Sequence, residues 1–317
     1  MRVIKVAGVD IGTNSTRILI ADVGPGRDAL SLRTLHRIMT ITRLGEGVDD
    51  RGFLDSKAVR RTAETLSEYR ELMRREGVEA WEVAATSATR DAANSGEFIR
   101  IVGRIMGRET RVLSGDEEAR LSFLGATYDL EEMRPRGTPI FVVDIGGGST
   151  EVILGRDGHI LYEHSLDMGC VRMSERFLTS DPPLREELEA MEAYVRSLLA
   201  PVVSRVSSRN PGLTVGLAGT VTTLSGLKQG LDRYDGDVVH HSWLTLEDVE
   251  ALYADLYTLP LADRRRYMSL EPGRADVIVG GTGVLLVFMR ESGCERLLVS
   301  EKDILDGLAI SAARKGA

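Results

Sequence analysis

Apolar residues recur along the chain in two rhythms, and the points where one gives way to the other mark its elements. Near-continuous apolar runs at Trp81 to Ala85, Phe141 to Val143 and Leu213 to Leu217 predict buried strands. From Ser56 to Glu76 the rhythm is helical, with Val59, Ala63, Leu66 and Met73 on one side, Asp55-Ser56 as the start signal and Gly77 as the stop. Asn94 or Ser95 opens a second helix carrying Phe98, Val102, Ile105 and Met106, closed by Gly107. A third helix over Arg185 to Leu199 is expected to end or bend at Pro201, which lacks the amide a helix interior needs. The run Val284 to Phe288 predicts a buried helix, Leu297 to Ser300 a last strand, and Asp303 to Ala313 a last helix. Strand and helix signals alternate throughout, which is the pattern of an α/β protein.

One pattern occurs twice. Val9 to Leu19, VDIGTNSTRIL, repeats as Val143 to Leu154, VDIGGGSTEVIL, about 134 residues later. In each copy an apolar strand ends in Asp-Ile-Gly, turns through small polar residues to Ser-Thr, and leaves as another apolar strand, which predicts a hairpin with a polar tip. A duplication with that spacing suggests two domains of related fold, their loops forming opposite walls of a cleft. We place the boundary in the Pro- and Gly-containing stretch Arg134 to Pro139, giving domains 1–133 and 134–317, with the final helix 303–317 packing back on the first.

At 317 residues, two domains of ordinary size are the natural expectation, and 43% hydrophobic with 28% charged residues describes a soluble globular protein. Cys170 and Cys294 form neither a disulfide framework nor a metal-binding CxxC, which favours a reducing cytoplasm and buried thiols. The N-terminus shows no uninterrupted apolar run of signal-peptide length, and no stretch approaches a membrane span. A net charge of −8 argues against nucleic acid as a partner. A polyanionic substrate would therefore need locally clustered arginines.

The polar tips carry the candidate chemistry. Gly146, Gly147 and Gly148 allow a sharp bend that presents bare amides to an anion, Ser149 and Thr150 add hydroxyls, and Asp144 can hold a metal-bound water. Asp10, Asn14 and Ser15 stand at matching places in the first copy. Gly219 and Thr220 form a third tip at a helix start, suited to an anion or equally to plain capping. Arg90, in the polar tip Thr86 to Asp91, is either a solvated arginine paired to Asp91 or a phosphate clamp. Ser114 and Glu117 form a capping-box pattern, so Glu118, pointing about 100° further round, is left without a local partner and becomes the better candidate for a general base. Arg274 and Asp276 serve as a local ion pair or as site residues, and the adjacent His240 and His241 do not suit joint metal ligation.

Taken together, the tips Asp10 to Ser15, Thr86 to Asn94, Ser114 to Leu121, Asp144 to Glu151 and Gly219 to Thr223 resemble, in order and spacing, the exopolyphosphatase and guanosine-pentaphosphate phosphohydrolase family. Tyr234-Asp235 with Val239-His240, and Arg274 to Asp276 with the glycines that follow, look like the same family. The resemblance implies two ribonuclease-H-like α/β domains of the actin-like ATPase superfamily flanking an interdomain cleft. It implies Mg2+, or another divalent cation, and hydrolysis of the terminal phosphoanhydride of inorganic polyphosphate. Carried over, Glu118 matches the catalytic base and Arg90 the clamp. Asp144, Gly146, Gly147, Gly148, Ser149 and Glu151 match the phosphate and metal loop, and Asp10, Asn14 and Ser15 the first loop, so that the metal ligands would be Asp10, Asp144 and Glu151. Longer members carry an additional C-terminal helical domain that this chain is expected to lack, which points to short chains as substrate.

Guanosine pentaphosphate offers the same terminal anhydride and is the alternative substrate. An ATP-dependent kinase, or a silent alarmone-binding regulator on the same fold, is the alternative class. The kinase would need a second acceptor substrate. A homodimer is the candidate assembly.

Overall fold

Strand β1 (Ile4–Ile11) is buried along almost its whole length because it lies between an antiparallel and a parallel neighbour, with apolar side chains covered on both faces of the sheet. In the computed structural model, which describes residues 2–25, 30–130, 137–207 and 211–316, β1 pairs antiparallel with β2 (Ser15–Pro25), and β2 with β3 (Leu30–Ile41). On its other side β1 pairs parallel with β4 (Ala80–Ala85), and β4 with β5 (Arg111–Val112). The order is β3-β2-β1-β4-β5.

The second sheet repeats that plan. Strand β6 (Ile140–Ile145) pairs antiparallel with β7 (Thr150–Arg156), and β7 with β8 (His159–Leu166). Strand β9 (Leu213–Leu217) runs parallel to β6, and β11 (Arg296–Val299) parallel to β9, with β10 (Trp243–Thr245) added antiparallel at the edge. An antiparallel meander followed by parallel strands, twice over, is the ribonuclease-H-like α/β arrangement that the family resemblance implied, and its recurrence is the related fold that the repeated sequence suggested.

The chain divides into two compact units, Met1–Glu132 with Lys302–Ala317, and Met133–Glu301. Arg134, Pro135 and Arg136, in the stretch expected to hold the boundary, lie outside the described residues. In the first unit the helix Ser56–Glu76 begins where Asp55 accepts from the amides of Lys57 and Ala58 and ends at Gly77. Its residues Leu66, Tyr69 and Met73 pack with Ile18, Ile20, Phe98 and Val102 into one core. The C-terminal helix Ile304–Gly316 sets Leu305, Ala309, Ala312 and Ala313 against Ile4, Val6 and Leu19. In the second unit the helix Ile278–Ser292, buried from Ile278 to Met289, packs on Phe141, Met191 and Val195.

Several local expectations differ from the structure. Pro201 lies inside a helix that continues to Ser207, because Val202, Val203 and Val206 beyond it are buried in the core and outweigh the missing amide. Asn94 stands at its helix start without a side-chain cap, its amide group instead exchanging hydrogen bonds with the backbone of Leu54. The expected tip Thr86 to Asp91 is a helical turn, Ser87–Asp91, closed by Thr89 and Arg90 amides on the Thr86 carbonyl. Cys170 is buried, whereas Cys294 is only half-buried, its thiol donating to the Arg296 carbonyl at 3.1 Å.

The helices Gly115–Thr127 and Ile304–Gly316 touch backbone to backbone. A Cβ on Gly125 would lie 1.8 Å from the Asp303 carbonyl oxygen, and one on Gly307 would lie 2.1 Å from that of Leu121. Gly125→Ala is therefore expected to destabilise the protein by about 3 kcal/mol in urea unfolding, the upper end of overpacking costs. Gly96→Ala, whose Cβ meets nothing, is expected to stabilise by about 0.5 kcal/mol, the helix-propensity gain.

Candidate active site

Parallel strands deliver their C-terminal ends to one edge of a sheet, and in each unit the polar tips leave from that edge. In the first unit β1 leads to Gly12, β4 to Thr86, and β5 to Ser114, with the Thr86 amide on the Ile11 carbonyl and the Leu113 amide on that of Ala85. In the second unit β6 leads to Gly146, β9 to Ala218 and β11 to Ser300, whose amide donates to Gly216.

The two repeated tips have the same backbone turn. Gly12 donates to the Ser15 carbonyl at 3.0 Å, and Gly146 to the Ser149 carbonyl at 3.0 Å. What differs is charge. Asp10 faces Arg17 in the β1–β2 register, and Asp144 faces Glu151 at the matching place in β6–β7. Asp10 is buried and its Oδ2 accepts from Arg17 Nη2 at 2.7 Å and Nε at 3.1 Å. Burial nevertheless pushes its carboxyl above the ordinary range, against the lowering effect of Arg17.

Buried polar atoms are nearly always hydrogen-bonded, so those that are not mark a place where something else belongs. Asp10 Oδ1, Asn14 Nδ2, Ser87 Oγ and Thr89 Oγ1 are all buried without a hydrogen-bond partner, and all stand at the loop edge of the first unit. Ser15 opens β2, half-buried.

Arg90 and Glu118, read as separate candidates, are brought together. Arg90 Nη1 donates to the Leu113 carbonyl at 2.9 Å and lies 3.3 Å from Glu118 Oε2. Among the described residues its other guanidinium nitrogens carry no hydrogen bond. Glu118 thus has a partner that its local sequence did not reveal. Its neighbour Glu117 is fixed in a capping box with Ser114, whose amide and Arg111 hold its carboxyl below the usual range.

In the second unit the carbonyls of Gly146 and Gly147 are taken up by the amides of Cys170, Val171 and Arg172 at the start of the helix Cys170–Phe177, and Arg172 Nε donates to the Gly148 carbonyl at 2.9 Å. Among the described residues the amides of Gly147 and Gly148 make no hydrogen bond, which leaves donors for an anion. Ser149 is buried beside them. Asp144 and Glu151 are both buried, and Glu151 also accepts from Ser165 Oγ at 2.7 Å. Two carboxylates facing across a hairpin are the hard oxygen donors that Mg2+ takes. The chemistry of these donors fits a divalent cation, and the orphaned Asp10 Oδ1 is of the same type.

The third tip opens the helix Ala218–Lys228, with Ala218 in the left-handed region at φ 65°. A Cβ on Gly219 would fall 1.5 Å from Arg274 Nη1, so the Arg274 guanidinium lies directly on the tip, with its Nε 3.8 Å from Glu271. Thr220 is buried below. Sequence reasoning left Arg274 undecided, because nothing local ties it to Gly219. Arg17 was missed, although aligning the two repeats sets it opposite Glu151.

A family model described as the Ppx/GppA phosphatase family matches residues 19–315. The chain is 41% identical to Exopolyphosphatase 2 of Mycobacterium tuberculosis, over 99% of this chain and 100% of that protein. The crystal structure of the Aquifex aeolicus member of the Ppx/GppA family superposes with a TM-score of 0.81 at 32% identity, over 99% of each chain. An exopolyphosphatase from Cytophaga hutchinsonii, at 24% identity, shares the fold with a TM-score of 0.88 over 98% of each chain.

The raised pKa of Asp10 has a sign. A carboxyl held protonated to higher pH in the fold contributes nothing to stability below the unfolded value of 3.8, and lowers stability as pH rises through its folded value. Asp10→Asn, which cannot ionise, is therefore expected to compare more favourably with the wild type in stability at pH 7 than at low pH. Urea midpoints of the two proteins at pH 7 and below pH 3.8 should show that difference.

Proposed function

The chain belongs to the Ppx/GppA phosphatase family, and from that membership we propose that it is an exopolyphosphatase, hydrolysing the terminal phosphoanhydride of inorganic polyphosphate to release orthophosphate. The observation that carries the mechanism is the Arg90–Glu118 pair, in a unit whose loop edge also holds buried polar atoms without hydrogen-bond partners.

A phosphoanhydride already has a good leaving group, so the protein has mainly to neutralise charge, align a water and accept its proton. Glu118 Oε accepts a proton from the water as its oxygen bonds to the terminal phosphorus, and the anhydride P–O bond breaks with its electron pair going to the shortened chain. Arg90, anchored through Leu113, orients that carboxylate and turns its remaining N–H groups to a phosphoryl oxygen. The amides of Gly147 and Gly148 with Ser149, and the Gly219–Thr220 tip with Arg274 upon it, bind further phosphate oxygens. Asn14 and Ser15 supply donors from the first loop. In the second unit Asp144 and Glu151 would hold Mg2+, which when bound neutralises charge on the anhydride oxygens, and in the first unit Asp10 Oδ1 is a candidate ligand to a divalent cation. Two free cysteines fit a reducing, cytoplasmic setting, and among the described residues no helix is long and apolar enough to cross a membrane.

Phosphate release should be measured on tripolyphosphate, long polyphosphate, guanosine pentaphosphate and ATP, with Mg2+ and with chelator. Metal-dependent release from tripolyphosphate is expected. Release from guanosine pentaphosphate alone would replace the substrate, and no release from any polyphosphate would sink the proposal. Glu118→Gln is expected to lower kcat at least ~100-fold with little change in KM, the scale of a lost general base.

A further inference from the structure

Arginine normally meets a carboxylate fork to fork, each oxygen taking one N–H. Arg17 does not meet Asp10 in that way. Its Nε and Nη2 both go to Oδ2, and Oδ1 is left buried without a hydrogen-bond partner. The reason lies at the other end of the guanidinium, where Nη1 donates to Asp303 Oδ2. Asp303 is itself held, since its Oδ1 accepts from the Leu305 amide at 3.0 Å and from Arg37 Nη1 at 3.4 Å. Arg37 is bound in turn to Asp306, which is fully buried, and Lys302 Nζ lies 3.8 Å from the other oxygen of Asp306. Asp10, Asp303 and Asp306 thus alternate with Arg17, Arg37 and Lys302 in a charge-balanced chain of three carboxylates and three cations, running from the first loop to the start of the C-terminal helix.

We propose that Asp303 is a positioning residue for Asp10. By holding Arg17 Nη1 it prevents the guanidinium from rotating onto both Asp10 oxygens, and it keeps Oδ1 available to the divalent cation. This role rests on the metal-binding function proposed above for Asp10. Without the Asp303 charge, Arg17 is free to close on Asp10 as a fork and occupy Oδ1. Partners that orient a metal ligand typically change metal affinity about 10- to 100-fold when removed.

The test is the affinity of the full-length protein for Mn2+, measured by electron paramagnetic resonance of the free ion, together with thermal melts of the metal-free protein. Asp303→Asn is expected to weaken Mn2+ binding about 10-fold, in line with such partners, while kcat at saturating Mn2+ stays within about 2-fold, because the base and phosphate donors are untouched. Asp303→Glu, which restores a carboxylate, should recover part of the affinity. Asp10→Asn should weaken binding at least as much as Asp303→Asn. Wild-type affinity in Asp303→Asn beside weakened binding in Asp10→Asn overturns the positioning role alone. Wild-type affinity in both overturns the metal role of Asp10, and the positioning role with it. Should Asp303→Asn fail to fold, Arg37→Gln, which loosens Asp303 from its far side, is expected to weaken Mn2+ binding in the same direction, and unchanged affinity there overturns the proposal.

Discussion

A carboxylate taken out of water must be paired or hydrogen-bonded, and the two repeated hairpins place different residues opposite their aspartates at one register position. In the first, Arg17 stands across from Asp10 and supplies the charge from within the protein. In the second, the same register position carries Glu151, so Asp144 faces another carboxylate. One hairpin backbone, with the same Gly-to-Ser turn, therefore carries an aspartate–arginine pair in one unit and two facing carboxylates in the other. The difference in charge between the loops follows from a single residue position.

That difference would have no effect if the loops opened anywhere else on their sheets. Strands β1, β4 and β5 run parallel and end together, as do β6, β9 and β11, so residues far apart in sequence reach one edge without any loop needing to be long. The cores beneath are close-packed and apolar, and they fix the strand ends while contributing no chemistry. Where helices must come close to keep those ends in place, as Gly125 does on the Asp303 carbonyl, the chain has no room for a side chain.

What was legible in the sequence follows the same division. The features read correctly were mostly set by neighbours along the chain: the Asp55 cap, the Ser114 and Glu117 capping box, and the repeated tips whose shared pattern implied a shared topology. Side-chain pairs formed between distant segments were not legible. Arg90 and Glu118 are 28 residues apart, and Arg17 and Asp303 are 286 apart, so no local spacing signals either pair. Nor does anything near Arg274 announce that its guanidinium fills the space above Gly219. Local propensity also gave way to packing where a buried face was at stake, as at Pro201, where the valines beyond it keep the helix going.

Glu118, the proposed base, stands outside the proposed phosphate loops, and there is a physical reason for that placement. The amides that bind a phosphate need a backbone bare of side chains, and such a backbone is poorly suited to holding a long carboxylate in one orientation. A helix start does that well. Ser114 and Glu117 close the first turn on each other, and Arg111 pins Glu117 from outside, so the turn that carries Glu118 cannot fray. Arg90 then bridges the Leu113 carbonyl, just before that turn, to the Glu118 carboxylate itself. Glu118 is thereby fixed at its backbone by the capping box and at its carboxylate by an arginine, which is the preorganisation the proposed base requires.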